Sequence, residues 1–247
     1  MVARSAAGLA ILLLAGGCDL VFGLDELPSG PSVLSFSTAA SAHGATVESL
    51  GYPLEILSGP DRAMVVTVQL ADACGAASPT ISSVTYGGAT LTPIASILGT
   101  PCGLTSTRSE QWLLVAPAVG RTEVVVTLSA PARAMHSGAI ALTGVDPASP
   151  VRAFAVASGR STTSMVVVPS ATGDLVVNTV GQGTGIMVPS GDATLRYVNN
   201  VSDGLTLHNS AGSTVPGYEP GVTSMWTFRG DDEWQTISTS LRPSSMP

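Results

Sequence analysis

The sequence predicts an all-β fold, an antiparallel two-sheet β-sandwich of jelly-roll-like or immunoglobulin-like type. Three observations predict it. From residue 33 onward valine, threonine and serine are abundant, and no long stretch carries a 3.6-residue apolar period. Turn signals recur at short intervals, at Gly87-Gly88, 117–120, Ser158-Gly159-Arg160, Thr172-Gly173-Asp174, Ser190-Gly191-Asp192, Asp203-Gly204 and Gly230-Asp231. Several segments alternate as half-buried strands do: Val124, Val126 and Leu128 share one face, and Val222, Ser224, Trp226 and Phe228 share another.

Taken in order, residues 1–17 read as a secretory signal with Arg4 as its one charged side chain. The apolar run 6–17 is too short for a bilayer, which needs ~20 apolar residues. It ends in Ala15-Gly16-Gly17-Cys18 and resembles the bacterial lipoprotein signal, in which the cysteine is acylated and becomes the mature N-terminus. That resemblance implies lipidation at Cys18, a place in the cell envelope and contact with the membrane through the lipid. It leaves open the inner or the outer membrane. Residues 18–32 read as a tether rich in Gly and Pro. Its opening, Cys18 to Leu24, resembles the start of many lipoproteins of myxobacteria.

Residues 33–247 read as a single domain. Its predicted strands are 63–70, 81–86, 90–95, 110–115, 123–128, 138–143, 151–157, 164–168, 174–179, 194–199, 206–209, 222–229 and 234–241. No Pro/Gly-rich break divides them, and no fixed-period repeat is visible. The formal net charge is −7, and all ten basic residues are arginine. Nucleic-acid binding needs a basic footprint and is not expected.

Cys74 and Cys102 form an even pair in a secreted chain, which favours a disulfide over two buried thiols. Tyr86-Gly87-Gly88-Ala89 is a two-glycine hairpin turn, and the two cysteines stand almost symmetrically about it. Closing that loop is worth about 3–4 kcal/mol in chain-entropy estimates.

Ser83-Val84-Thr85-Tyr86-Gly87-Gly88 resembles the hairpin of a broad group of secreted bacterial β-sandwich modules. Trp112–Pro117 with Val124–Leu128, Gly138–Asp146, Ala171–Val177 and Trp226–Leu241 resemble the same group in the same order. The resemblance implies a sandwich and a module that binds carbohydrate or another surface ligand, and carries no catalytic set.

The residues themselves name no catalytic centre. His43, His136 and His208 lie far apart with no metal-ligand spacing, so neither a metal nor another cofactor is expected. No Gly-x-Ser-x-Gly nucleophile elbow is present. Asp231, Asp232 and Glu233 read as a solvated hairpin tip before Trp234. Sugar binding uses ring faces beside polar groups. Tyr218 and Trp234 adjoin turns, so a ligand site is placed at Tyr218, Asp231, Asp232 and Trp234. The rival for Trp234 is packing. The function expected is a lipid-anchored, non-catalytic module for a glycan or surface polymer. Its rivals are an assembly lipoprotein that contacts other envelope proteins and, last, a hydrolase.

Overall fold

The computed structural model of the chain describes residues 33–73, 79–99, 105–183, 185, 188–200 and 208–245. Cys18, Cys74 and Cys102 lie outside the described residues. Two antiparallel sheets pack together, and among the described residues there is no helix.

The first sheet holds β1 (Ser35–Ile56), β2 (Ala63–Ala73), β3 (Ile81–Tyr86), β4 (Ala89–Thr90), β5 (Thr92–Leu98), β6 (Thr105–Val115) and β7 (Gly120–Thr143). β7 is its spine. β1 follows one edge of β7 from Ser35↔Thr143 to Ile56↔Gly120. The other edge takes β2, from Ala63↔Leu142 to Ala71↔Ala134, and then β3, from Ile81↔Leu128 to Tyr86↔Val124. β6 pairs with β2 and β5 with β6. The turn at Gly87 and Gly88 forms as expected, because φ values of 55° and 86° suit glycine. Its arms do not stay together. β3 pairs with β7 along its other edge, and after Leu91, whose amide still donates to the Val84 carbonyl at 2.9 Å, the second arm passes to β6 as β5.

The second sheet holds β8 (Val151–Pro169), β9 (Leu175–Gln182), β10 (Val188–Pro189), β11 (Thr194–Asn200), β12 (Asn209–Pro216) and β13 (Gly221–Leu241). It repeats the first. β13 is the spine, with β8 along one edge and β9 then β10 along the other. β12 pairs with β9 and β11 with β12.

The irregularities repeat as well. A bulge falls between Phe36 and Thr38 in β1, and its counterpart in β8 lies opposite Ser240/Leu241. A second bulge falls between Pro93 and Ala95 in β5, and again between Leu195 and Tyr197 in β11. Each spine bends where its pairing breaks, between Thr127 and Ala132 and between Thr227 and Asp232. The links into the spines, 116–119 and 217–220, have the same length. The packing follows the same symmetry, with β1 meeting β11 and β8 meeting β5.

Alternation within the central strands sorts the core. Met64, Val66, Val68 and Leu70 of β2 join a cluster made only of first-half residues, which includes Tyr52, Tyr86, Trp112 and Val126. Ala63 and Val65 face the other way, onto Leu175, Val177 and Leu241 of the second sheet. The second half has its own clusters, around Trp226, Phe228 and Trp234 and around Val168, Val176 and Val222. Each sheet therefore bends over a core of its own, and a shared layer joins the two.

Several expectations are corrected here. Ser158-Gly159-Arg160 and Gly230-Asp231 are not turns between strands; they lie within β8 and β13. Glycine there serves close approach: a Cβ on Gly159 would stand 2.8 Å from the Trp234 ring. Of the expected strand 206–209, residues 206 and 207 lie outside the described residues and Asn209 opens β12; β1 was not among the expected strands. Where the sequence shows no fixed-period repeat, the fold is an internal repeat with unequal loops.

Candidate functional site

The ligand site expected at Tyr218, Asp231, Asp232 and Trp234 does not assemble. Tyr218 is exposed before β13, whereas Asp231 and Asp232 lie at the middle of that strand. Trp234 is 8 % exposed and packs with Val180, Ala211, Trp226 and Phe228. Its Nε1 donates to Ser161 Oγ at 3.0 Å. The ring has no free face, because alternation along β13 points it inward at the bend. Asp231 pairs with Arg160 at 3.9 Å with both side chains well exposed, a pair worth little.

The structure instead gathers the three histidines. His43 of β1 pairs directly with His136 of β7, and their ring centroids lie 5.9 Å apart. His208, which precedes β12, lies 5.2 Å from His136. His43 is exposed, whereas His136 and His208 are 2 % and 3 % exposed. Among the described residues no three groups stand in a metal-holding arrangement. Burial pushes His208 down to about 4, so its imidazole is neutral at neutral pH.

The histidines begin a row across the first sheet: His43, His136, Gln69, Ser109. Opposite runs a row of the second sheet, Gln235, Gly181, Ser210 and Asn199. The two touch at the centre, where a Cβ on Gly181 would stand 3.0 Å from Gln69 Cδ. This end of the shared layer is polar, while the end at Val65 and Val177 is apolar.

Between the two ends the layer is hydrogen-bonded across the sheets. Gln111 Nε2 donates to Thr179 Oγ1 at 2.9 Å, and Thr239 Oγ1 donates to Gln111 Oε1 at 2.6 Å. Asn199 Nδ2 donates to the Ala42 carbonyl at 3.2 Å, and Ser41 Oγ donates to Asn199 Oδ1 at 2.9 Å. The Tyr197 ring lies where a Cβ would stand on either Gly138 or Gly212, so both must be glycine.

No family model, no curated protein and no solved structure matches this chain.

At the polar end Asn199 donates to Ser210 Oγ and to the Ser137 carbonyl, but several other groups lack such partners. Both amide atoms of Gln69 and of Gln235, the hydroxyls of Thr107 and Ser109 and both ring nitrogens of His208 are buried with no hydrogen-bond partner. Sequence reading missed this site. Its one signal was Gln69, a polar side chain inside the apolar run Met64 to Leu70.

A second feature lies on the surface. On the outward face of the bend in the second half, Met165, Val167, Met225 and Val188 are exposed. Register makes them neighbours: Met165 pairs with Met225, Val167 with Thr223, and Val188 with Thr227. The matching face of the first half carries Gly51, Pro53, Glu55, Arg121 and Glu123, with the half-buried Val125 in the place of Met225.

Proposed function

We propose that this is a lipid-anchored protein of the bacterial cell envelope that works without catalysis, by docking another envelope protein. The observation that carries the reading is the contrast between its two outer faces. The two halves share one fold, so the first half serves as an internal comparison for the second. One face carries charges and turn-type residues that suit water. The other carries methionine and valine, with Arg229 as its charged neighbour. Methionine adapts to the surface it meets, and contiguous exposed apolar residues without rings fit a protein contact better than a sugar contact. The anchor rests on the run ending in Ala15-Gly16-Gly17-Cys18.

The test is a photo-cross-linking side chain at Thr223 of the chain in its own membrane. One defined protein adduct is expected. With the partner purified, Met225→Glu and Met165→Glu should abolish the complex and leave the unfolding midpoint unchanged. A complex that forms equally well with both variants overturns the docking face. Mass spectrometry of the mature N-terminus should show a diacyl or triacyl cysteine at Cys18, and membrane association that persists in Cys18→Ser overturns the anchor.

The second reading is a module for a glycan or surface polymer. Burial of Trp234 removes the ring platform on which that reading stood. The buried neutral polar groups at the end of the shared layer favour it.

A further inference from the structure

We infer that the end of the sandwich where the described chain begins rests on the membrane, with Leu57, Val119 and Tyr218 in the head-group layer of neutral phospholipid. The inference deepens the lipid-anchored reading and rests on it; it is independent of the docking face on the second half.

Placement comes first. β2 and β9 stack in the same direction, Val65 meeting Val177 and Gln69 meeting Gly181, so both halves begin their central strands at one end. Hydrogen bonds tie the loops there together. Gly144 donates its amide to the Pro60 carbonyl at 3.0 Å, and Ala116 donates to the Arg62 carbonyl at 2.7 Å. In the second half Gly217 donates to the Asp174 carbonyl at 2.8 Å, and a Cβ on Gly173 would stand 3.6 Å from Pro243 Cγ. Both links into the spines, 116–119 and 217–220, therefore lie at this end. The chain enters here too, because Val33 lies against Gly144. Residues 18–32 separate Val33 from Cys18, and a chain of that length spans at most ~50 Å. A lipid on Cys18 keeps this end within that reach of the bilayer, so a contact of a few side chains, too weak to hold a free protein, is enough.

Chemistry then selects the lipid. Val33, Leu57, Val119 and Tyr218 are all exposed. Leu57 and Val119 adjoin, because they follow and precede the paired Ile56 and Gly120. Tyr218 stands in the corresponding link of the second half, and a tyrosine suits the boundary between acyl chains and water, with an apolar ring and a polar tip. The arginines of this end serve its own loops. Arg62 donates to the Gly59 and Pro117 carbonyls, Arg152 pairs with Asp174, and Arg242 donates to the Ser149 and Val151 carbonyls. Arg121, the next one along, stands opposite Glu55. Asp61 and Glu219 are exposed. Among the described residues this end therefore presents no basic patch, which anionic lipid would require. A neutral head group meets the apolar tips without that repulsion.

The test uses the full lipidated chain in vesicles of phosphatidylcholine with brominated acyl chains. A tryptophan is added at one exposed position, as Val119→Trp, Tyr218→Trp or, at the opposite end of the sandwich, Leu98→Trp. The three native tryptophans are buried and set the background. Bromine should quench the added emission of Val119→Trp and of Tyr218→Trp about twofold or more, as expected of rings at the interface, and leave that of Leu98→Trp unchanged. Mixing in an equal share of phosphatidylglycerol should weaken the quenching, and stronger quenching there overturns the choice of neutral lipid. Vesicle flotation reads the anchor separately. A chain that floats while Val119→Trp and Tyr218→Trp behave as Leu98→Trp does overturns the inference and leaves the anchor standing. A chain that does not float overturns both.

Discussion

Asp174 keeps its charge with its side chain wholly out of solvent, because its partners outweigh its burial. Burial alone would push the carboxyl up. Against that, Arg152 donates through both Nε and Nη2, the Ala171 amide donates at 2.9 Å and Ser240 Oγ at 2.9 Å, and together they hold the group below its usual range. His208 is shifted down for a simpler reason, burial without a partner. Both shifts act in the same direction on acid stability, in different windows. As pH falls from 6.5 toward about 4, the unfolded chain takes up a proton at His208 that the folded chain refuses, so stability drops. Below about 3.8 the unfolded carboxyl of Asp174 protonates first, and its contribution is lost as well. Urea unfolding at stepped pH should show both phases. His208→Gln should remove the upper phase and leave the lower, whereas Asp174→Asn should lower stability at neutral pH and flatten the lower phase. An upper phase that persists in His208→Gln would assign it elsewhere. At this scale the sequence was least informative. Whether Trp234 is a platform or a plug depends on which way a strand faces after a bend, and no local pattern fixes that. Likewise His43 and His136 are neighbours only through the β1–β7 register.

Strands were legible wherever composition and alternation spoke together. β2, β3, β9 and the inner part of β13 coincide closely with the segments expected. The hairpin at Gly87-Gly88 was legible because a turn with two positive φ values demands glycine. β12 was not, because Ser210, Ala211, Gly212, Ser213 and Thr214 carry little apolar signal, yet β9 and β11 pair with both its edges and the strand is buried almost throughout. The long strands β8 and β13 were cut in two for a related reason: their glycines mark a bend and a close approach rather than a turn. The symmetry of the cysteines about the hairpin does not carry over, because its arms part into different pairings; instead β2 and β6 pair to their ends at Ala73↔Thr105. A bond between the cysteines therefore remains a proposal with a local rationale. Thiol titration of the unfolded, unreduced domain should find neither cysteine free, and reduction should lower the thermal midpoint. Two titratable thiols would dismiss the bond.

At the scale of the whole molecule, the repeat makes the shared layer an interface between two copies of one plan that have diverged. Aligning the ladders sets Val65 beside Val177, Thr67 beside Thr179 and Ser109 beside Ser210. Elsewhere the copies are complementary. Tyr197 fills one side over Gly138 and Gly212, and on the other side the equivalent of Tyr197 is Ala95, while Gln111 and Ile237 stand where the glycines would be. The ends of the halves also meet. Ser244 donates its amide to the Gly144 carbonyl at 2.8 Å, Val145 bridges Pro243, and a Cβ on Gly144 would stand 2.8 Å from the Val33 carbonyl oxygen. The start of the first half, its end and the end of the second half thus lie together, as they must if each half is closed on its own core. The link 146–150 joins two finished units and is itself held by Arg242, whose carbonyl accepts from the Asp146 amide at 3.0 Å and whose amide donates to the Pro150 carbonyl at 2.8 Å. A chain opened between Pro147 and Ala148, with residue 245 joined to residue 33 by a short Gly/Ser linker, should fold to the same sandwich. Its far-ultraviolet circular dichroism should match, unfolding should stay cooperative, and the midpoint should fall by no more than about 5 °C, the shift that about 1–2 kcal/mol produces in a domain of this size. The parent and the permuted chain bury the same four hydrophobic clusters, so a much larger loss could not come from packing. An insoluble or non-cooperative permutant would show instead that the two halves need the native link to find each other.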